Sequence, residues 1–386
     1  MDALLLSKEI EDYVIGIRRR IHTYPELAEN EFETQNLICN ELDKMNVSYQ
    51  RVGSTSTIVT IDTKRPGKTL ALRADIDALP MKEETVVDYS SSREDVAHMC
   101  GHDVHAAVLL GAIKIISENI DEFNGKIKFF FQEGEERLVG ARKIIDAGGM
   151  DGVDNCFALH VIHSYKSGDV ALAPGYALSG ADEINMEWIG VSGHGSSPQL
   201  ANDSIHAAAV FTNDLQAIVT KNVSPLDVAV IGVGKFQGGS VANIIAKYTN
   251  LELTMRYFKE DVQERLHKAL VSHAKNIGSM YGVEVNINIE KKASSTYNDP
   301  DFCQFAKQAY MDANPNGEVH NSPPLMSSED YSEYLKIAPG AMGWLGIGNA
   351  EKECIYFPHH ELFKVDEEAL KYGVAWFVQL SKNYLV

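Results

Sequence analysis

The chain has 386 residues, of which 45% are hydrophobic and 23% are charged, and its formal net charge is −19. This length favours two domains, and the composition is that of an ordinary globular protein. The excess of acidic residues argues against nucleic acid and against an anionic membrane surface as partners. We interpret the acidity itself mainly as a well-solvated surface.

The cysteines and the N-terminal segment bear on the cellular compartment. The five cysteines are odd in number and widely scattered, which does not predict a disulfide framework and fits a reducing, cytoplasmic compartment. The first eight residues contain only a short apolar run and do not resemble a signal peptide. No stretch reaches the roughly 18 apolar residues that a membrane span needs, so no membrane segment is predicted.

Hydrophobic periodicity predicts two helices and then two short strands at the start of the chain. The helices cover residues 9–22 and 30–45, where apolar residues recur at helical spacing. The strands cover residues 57–61 and 69–72 and are joined through a Pro-Gly turn.

Two carboxylates, Asp75 and Asp77, follow the second strand. Sites in open α/β sheets gather beyond the carboxyl ends of the strands, so these acids are well placed to support a site. A turn that carries two solvated acids is an equal alternative at this point.

The stretch from Cys100 to His105 places a thiol and an imidazole two residues apart. The apolar run that follows predicts a buried helix over about 104–118, so Cys100 and His102 lie at a loop-to-helix junction that can aim both at one point. Thiolate and imidazole both bind zinc, and imidazole also suits manganese, cobalt and nickel. Taken alone, such a pattern is more often a buried cysteine beside a capping histidine.

A buried strand is predicted over 126–131, and polar and acidic residues follow it directly. Neighbouring residues on an extended backbone point in opposite directions. One of Glu135 and Glu136 is therefore expected to bind a metal while the other faces the metal-bound water. The acids also suit the start of the next predicted helix, over 138–147, whose dipole favours negative charge, and both explanations can hold together.

Histidines complete the candidate set. An apolar strand over 156–161 is expected to end in His160, although a lone histidine there is more often a hydrogen-bonded core residue. A strand over 341–346 is followed, after a loop, by His359 and His360, and a terminal helix starts at Asp366. Cysteine, histidine and glutamate side chains at successive strand ends together indicate a dinuclear metal site.

Between residues 183 and 292 the predicted elements follow in the order βαββαβ, which is typical of a ferredoxin-like sandwich. Such a unit can fold around its own core, so we predict an inserted domain over 183–292, between catalytic segments 1–182 and 293–386. Glycine-rich loops in this segment carry His194 and Asn243. These loops can bind substrate, but ordinary sheet-edge turns explain them more simply.

Together these motifs resemble a known family from about residue 15 to the end of the chain. The chain is similar to the metal-dependent amidohydrolases and carboxypeptidases that include aminoacylase, glutamate carboxypeptidase and succinyl-diaminopimelate desuccinylase. Within them it resembles the plant auxin-conjugate hydrolases and bacterial hippurate hydrolases, which have a cysteine where relatives use a bridging aspartate. The most specific motifs are Arg73–Pro80, Cys100–His105, Phe131–Gln132 with Glu135–Glu136, Leu159–Val161 and Ser328–Tyr331.

The resemblance implies an α/β fold, with a zinc-exopeptidase-like catalytic domain around a mixed, helix-flanked sheet and an inserted βαββαβ lid and dimerisation domain. It also implies two divalent metal ions per subunit, which would be zinc, manganese, cobalt or nickel. The implied ligands are Cys100 as the bridge, His102, Glu136, His160 and His359. His359 is preferred to His360 because the family's histidine lies four residues before an aromatic residue, here Phe363. Glu135 would be the general base, and Asp77 is expected to support the ligands.

The implied substrate is an N-acylated amino acid, such as an N-acetyl or N-benzoyl conjugate, cleaved at its amide bond by a metal-bridging water. Glu135 would pass the water's proton to the leaving amine. His194, Asn243 and Arg256 match the family's substrate-binding positions. His194 would also stabilise the oxyanion, and Arg256 would hold the substrate carboxylate. In relatives this histidine reaches the partner subunit's site, which implies a homodimer.

Three departures from the family pattern concern the substrate more than the metals. The family usually has Gln-Pro-Ala-Glu-Glu, whereas Glu133 and Gly134 here place an extra acid near the site. Gln199 stands where a histidine is common, and Leu253 replaces a glycine. Two alternatives therefore stay open: a metallopeptidase acting on short peptides, and a non-catalytic metal-binding homologue, which the presence of Glu135 disfavours.

Overall fold

The computed structural model describes residues 1–386 and contains ten α-helices and sixteen β-strands. The helices are α1 (Ala3–Glu9), α2 (Glu11–Thr23), α3 (Phe32–Lys44), α4 (His102–Glu118), α5 (Gly140–Asp146), α6 (Ser204–Asn222), α7 (Glu260–Tyr281), α8 (Pro300–Ala313), α9 (Ser332–Leu335) and α10 (Leu370–Leu385). The strands are β1 (Tyr49–Val52), β2 (Ser56–Asp62), β3 (Thr69–Asp75), β4 (Lys126–Gln132), β5 (Asn155–Lys166), β6 (Val170–Leu172), β7 (Gly175–Leu178), β8 (Gly180–Ile189), β9 (Gly193–His194), β10 (Ala229–Gly238), β11 (Ile244–Ile245), β12 (Tyr248–Tyr257), β13 (Glu284–Ala293), β14 (Thr296–Asn298), β15 (Val319–Asn321) and β16 (Gly340–Gly348).

The chain divides into two compact units. The first unit consists of Met1–Ala177, Thr296–Pro324 and Glu329–Val386, and the second of Leu178–Ser295 with Leu325–Ser328. None of the helices combines the length and the apolar character that crossing a membrane requires.

An eight-stranded mixed sheet forms the core of the first unit, in the order β1-β2-β4-β3-β5-β16-β6-β15. The predicted mixed sheet is thereby confirmed. The four central strands β4, β3, β5 and β16 run parallel to one another, whereas β1, β2 and β6 introduce the antiparallel pairs. Parallel central strands end at one edge of the sheet, and this edge is where sites gather in such folds.

The helix α4 fixes one end of this site region. It packs against α2, α10 and β3, and it is buried along most of its length, which explains the apolar run in its sequence. Because α4 starts at His102, the loop before it delivers Cys100 to the edge of the sheet.

The strand β5 is longer than the sequence predicted, so the expectation that it ends in His160 is wrong. Its pairing with β3 sets Arg73 beside Ala158, and two residues further along His160 is level with Asp75, the last residue of β3. His160 therefore lies at the carboxyl edge of its neighbour even though its own strand continues beyond it.

The second unit contains a four-stranded antiparallel sheet in the order β10-β12-β8-β13. The helices α6 and α7 pack on each other and on this sheet. Along β12 the side chains alternate, with Leu251, Leu253 and Met255 buried against the helices and their neighbours facing outward. The chain order of these elements is βαββαβ.

Candidate metal centre

Cys100 and His102 stand on either side of Gly101, at the start of α4. Gly101 has a φ of +90°, and a Cβ atom there would lie 2.2 Å from Val161 Cγ2. Only glycine fits such a position without displacing its neighbour. Both flanking side chains are buried, and they belong to one cluster of potential ligands.

The hydrogen bonds of His102 decide which of its ring nitrogens can bind a metal. Nδ1 lies 2.9 Å from the backbone carbonyl oxygen of Asp77 and 3.2 Å from its Oδ1. Because a carbonyl oxygen only accepts, Nδ1 carries the proton and Nε2 presents its lone pair. Nε2 is buried and has no hydrogen-bond partner. This is the tautomer that a metal-binding imidazole adopts when a neighbouring oxygen orients it.

His160 is held in the same tautomer from a different strand. Its Nδ1 lies 2.8 Å from the carbonyl oxygen of Val161, and its Nε2 lies 3.5 Å from Cys100 Sγ. The thiol and the two imidazoles of Cys100, His102 and His160 therefore converge, with their ligand atoms within 4.8 Å of one another.

His105 lies beside this cluster but its ring nitrogens are both engaged. Nδ1 is hydrogen-bonded to Asp75 Oδ1, and Nε2 accepts the backbone N–H of Val161 at 3.0 Å. The imidazole therefore has no free lone pair to offer, although Asp75, His102 and His105 also form a compact group. The position of His105 agrees with its omission from the predicted ligands.

Glu135 and Glu136 do not lie on an extended backbone, so the argument that they point in opposite directions is wrong. Gly134 has a φ of +62°, and Glu135–Arg137 then form a single 3₁₀ turn after β4. Both carboxylates approach His102, with an oxygen of each 3.9 Å from Nε2. We call Gly134–Arg137 the carboxylate turn.

The two carboxylates of this turn have different surroundings. Glu135 is buried, and this burial raises its pKa well above the usual range, with the carboxylates of Glu329 and Glu136 acting in the same direction. Glu136 is partly exposed, and its backbone N–H donates to Asp77 Oδ2 at 3.0 Å. A carboxylate with a raised pKa is more basic than an ordinary one, which suits a group that takes up and returns a proton.

His359 comes from the loop that precedes α10. It has a φ of +70°, which is uncommon for a residue with a side chain, and its N–H donates to the carbonyl oxygen of Met99 at 2.7 Å. Its Nε2 lies 3.2 Å from Glu136 Oε1 without being aligned for a hydrogen bond. His360 instead stacks on Tyr356 and accepts a backbone N–H through Nδ1.

Two groups of ligand atoms thus share one thiol. The first is formed by Cys100, His102 and His160, and the second by Cys100, Glu136 and His359, and in each group the atoms lie within 4.8 Å of one another. The buried atoms His102 Nε2 and Glu136 Oε1 lack hydrogen-bond partners, which is costly unless something else satisfies them. Thiolate, imidazole and carboxylate are the ligands of zinc and related transition metals, so the residues fit two divalent cations.

A buried network beside the site was not predicted from the sequence, although its residues belong to three of the motifs. The guanidinium of Arg73 contacts Asp75 at 2.7 Å, Glu329 at 2.8 Å and Asp330 at 3.0 Å. Gln132 donates to Asp330 at 2.7 Å, which ties the end of β4 into the network. The signal in the sequence was Arg73, which follows the apolar residues of β3, because a buried charge needs partners.

The extra acid Glu133 does not reach the metal centre, so the expectation of an added charge there is wrong. Its carboxylate is buried and accepts the backbone N–H groups of Ser54, Thr55 and Ser56. It also pairs with Lys143. Glu133 therefore accepts the backbone N–H groups of a turn and does not add charge beside the candidate ligands.

The predicted substrate-binding residues lie in the second unit. The short strands β9 and β11 pair His194 with Ile244, which places His194 beside Asn243, and both residues are exposed. Arg256 lies on β12, is half-buried, and bonds to Thr254 and to the carbonyl of Met255. The structure thus brings two of the three together by backbone pairing.

Comparison with known proteins agrees with this geometry. A family model described as peptidase family M20/M25/M40 matches residues 71–383. The chain is 35% identical over 382 residues to thermostable carboxypeptidase 1 of Saccharolobus solfataricus, covering 98% of this chain and 96% of that protein. It is 34% identical over 381 residues to IAA-amino acid hydrolase ILR1-like 4 of Arabidopsis thaliana, covering 97% of this chain and 86% of that one.

A solved structure has the same fold. The YXEP protein of Bacillus subtilis, described as a dinuclear metal-binding peptidase of the M20 family, matches with a TM-score of 0.86 and 27% identity, covering 98% of this chain and 99% of that one. The predicted family resemblance is confirmed. The chain belongs to the peptidase family M20/M25/M40 and is a hydrolase of amide bonds.

Proposed function

We propose that this protein is a metal-dependent amidohydrolase that removes the acyl group from N-acylated amino acids. The observation that carries the proposal is the pair of ligand groups that share Cys100, with the buried carboxylate of Glu135 beside them. The similarity to a hydrolase of IAA–amino acids supports this substrate class.

In this proposal the chain's own side chains hold two divalent cations. Cys100, His102 and His160 hold one, while Cys100, Glu136 and His359 hold the other, and zinc, manganese, cobalt and nickel all suit this donor set. When bound, the two cations would polarise the amide carbonyl and lower the pKa of water. Asp77 orients His102 through Nδ1 and the carboxylate turn through the N–H of Glu136.

Glu135 would carry the proton transfers. Its carboxylate takes a proton from the attacking water and delivers it to the amine nitrogen as the carbon–nitrogen bond breaks, leaving a carboxylic acid and a free amine. The burial of Glu135 supports this role, because a raised pKa lets the group hold the proton between the two transfers.

The second unit would supply substrate contacts. We propose that His194 stabilises the tetrahedral oxyanion, that Arg256 holds the substrate carboxylate, and that Asn243 assists from its place beside His194. In this proposal His194 acts at the site of the partner in a homodimer, because its own unit carries none of the five candidate ligands. Cytoplasm is the proposed location, since five unpaired cysteines are typical of a reducing compartment.

A peptidase that acts on short peptides is the second candidate. The 35% identity to a carboxypeptidase over nearly the whole chain favours it. A non-catalytic homologue is disfavoured, because Glu135 and all five candidate ligands are present and converge.

A side-by-side assay tests these candidates. Metal-free protein is reloaded in turn with manganese, zinc, cobalt and nickel, and is then given N-acetyl and N-benzoyl amino acids or dipeptides. We expect faster hydrolysis of the N-acyl amino acids. A higher kcat/KM for dipeptides with every metal would establish the peptidase instead, and no hydrolysis by protein that holds two metal ions would favour the non-catalytic homologue.

A further inference from the structure

Glu133 lies directly before the carboxylate turn, just after the end of β4. Its carboxylate is fully buried, yet it belongs to neither of the two ligand groups that share Cys100. A buried carboxylate is costly unless several donors satisfy it. The number and origin of those donors show what the side chain does.

The donors come mainly from the turn between β1 and β2. Ser54 donates its N–H to Oε1 at 3.2 Å, Ser56 donates to Oε2 at 2.8 Å, and Thr55 makes a short bond to the same oxygen. Consecutive amides that converge on one anion form a nest, which a left-handed residue commonly helps to shape. Gly53 provides that residue, because its φ is +60° and a Cβ atom there would lie 2.9 Å from Glu133 Oε2.

The remaining contacts of Glu133 are with the hydroxyls of Thr55 and Ser56, 3.2 and 3.3 Å from Oε2, with a charged side chain, and through its own backbone N–H. Lys143 from α5 pairs with Oε1 and also bonds to Glu29 at 2.6 Å. The backbone N–H of Glu133 donates in return to Ser56 Oγ at 3.1 Å. The β1–β2 turn and α5, which are far apart from each other in the sequence, are therefore both bonded to Glu133, the residue that precedes the carboxylate turn.

A second carboxylate holds the same segment. Glu31 is buried, and its carboxylate accepts hydrogen bonds from the N–H of Gly134, at 2.9 Å, and from the hydroxyl of Thr55. The first residue of the carboxylate turn is thereby bonded to the end of one buried side chain, and Thr55 links that side chain to the Glu133 nest. These contacts hold the backbone that carries Glu135 and Glu136 in place, and they do not act through the charge of Glu133 or Glu31.

We propose that Glu133 is a positioning residue, whose bonds to the β1–β2 turn set where the carboxylates of Glu135 and Glu136 lie relative to the metal ligands. This inference rests on the proposed function for its kinetic consequence but not for its structural one. A displacement of about 1 Å in a catalytic group can lower a rate by about a hundredfold, so even a partial loss of the nest is measurable.

The variant Glu133→Gln tests the proposal, because the groups that contact the carboxylate are hydrogen-bond donors. Three backbone N–H groups and an ammonium face its two oxygens, so the amide NH₂ of glutamine meets a donor in either orientation. A matched control is Glu26→Gln. Glu26 is also buried and accepts two backbone N–H groups, from Glu33 and Thr34, but its side chain has no bond to the carboxylate turn.

Each variant is loaded with Co²⁺, whose visible absorption reports the geometry of its ligands, and its melting temperature, kcat and KM are measured. We expect Glu133→Gln to change the cobalt spectrum and to lower kcat at least about tenfold while KM stays within about twofold. Glu26→Gln should lose a comparable amount of thermal stability and keep the spectrum and kcat of the parent protein.

Two outcomes overturn the proposal. One is a parental cobalt spectrum and kcat in folded Glu133→Gln, and the other is an equal spectral change in Glu26→Gln. If Glu133→Gln does not fold, Ser56→Ala replaces it, because that change removes the hydroxyl that accepts the Glu133 N–H and donates to Oε2, and it keeps every charge. An unchanged spectrum in Ser56→Ala then also counts against the proposal. If the parent hydrolyses none of the substrates, the proposed function fails, but the cobalt spectra still decide whether Glu133 positions the turn.

Discussion

The Nδ1 atom of His102 donates a hydrogen bond to the backbone carbonyl oxygen of Asp77, 2.9 Å away. The same aspartate accepts the N–H of Glu136 through Oδ2 at 3.0 Å. One buried residue therefore orients a ligand from each of the two groups that share Cys100. Through these two hydrogen bonds Asp77 connects the start of α4 to the carboxylate turn.

Replacement of Asp77 by alanine should weaken metal binding without removing a ligand. The backbone carbonyl stays, but the bond to Glu136 N–H and the contact with His102 are lost. Loss of a partner of this kind typically lowers metal affinity about 10- to 100-fold, which titration of metal-free protein with Zn²⁺ in a competing chelator measures. Asp43→Ala on the surface of α3 is the control. Parental affinity in Asp77→Ala would show that the carbonyl alone orients His102.

Replacement of His359 by alanine should release one cation and leave the other. His359 belongs only to the group with Cys100 and Glu136, whereas Cys100, His102 and His160 remain intact. Metal analysis of dialysed protein should therefore fall from about two ions per chain towards one, on the ligand count of the two groups. His360→Ala is the matched control, because that ring stacks on Tyr356 and should not alter the stoichiometry. The opposite pattern would assign the ligand to His360.

Glu135→Gln should separate catalysis from metal binding. Glutamine keeps the shape of the side chain but cannot accept the proton, so kcat should fall about 100-fold or more while both metal ions stay bound. Turnover numbers and metal content are measured on the same preparation. Glu94→Gln, an exposed carboxylate change in the same unit, serves as the control for charge alone. Near-parental kcat in metal-loaded Glu135→Gln would remove this residue from the mechanism.

The stability of the protein should depend on pH through Glu31. Burial raises the pKa of Glu31 to about 7 from its ordinary value of 4.5, so the folded state retains a proton that the unfolded state releases. Between about pH 4.5 and 7 the unfolded chain therefore ionises first, and the contribution of Glu31 to stability falls as the pH rises through this window. Across this window the free energy of unfolding falls by about 1.4 kcal/mol for each unit by which the pKa of Glu31 is raised.

Glu31→Gln should remove this component, because glutamine stays neutral and can still accept the N–H of Gly134. Urea unfolding at several pH values should show the parent losing stability relative to Glu31→Gln from pH 4.5 to 7. A difference between the two proteins that is constant across this window would mean that Glu31 titrates normally.

A mixture of two inactive variants tests whether active sites are shared in a dimer. One chain carries Glu135→Gln and the other His194→Ala. If His194 acts at its partner's site, a mixed dimer has one site with both lesions and one site with neither, so activity should return to about half on twofold symmetry. Size-exclusion chromatography with differently labelled chains shows whether exchange has occurred.

The control for this mixture pairs Glu135→Gln with Cys100→Ala. Both lesions then lie in the first unit, so each site of a mixed dimer keeps one lesion and no activity should return. Exchange without recovery in the His194 mixture would place His194 at the site of its own chain or outside catalysis.

Much of the candidate site followed from local sequence patterns. The apolar run after His102 is buried in α4, and the predicted mixed sheet is present. Helical and strand periods repeat within a few residues, so they can be read without knowledge of the rest of the chain. The chemistry of thiol, imidazole and carboxylate is likewise a property of each residue type, and this is why the family resemblance rested on short motifs.

The remaining features depended on contacts between distant residues. The direction of Glu135 and Glu136 follows from the left-handed Gly134, whose N–H is held by Glu31 from more than a hundred positions earlier. Burial of Glu133 depends on amides of the β1–β2 turn in the same way. A sequence pattern shows which groups are present, but their hydrogen-bond partners, tautomers and distances are set only when the strands and helices pack together.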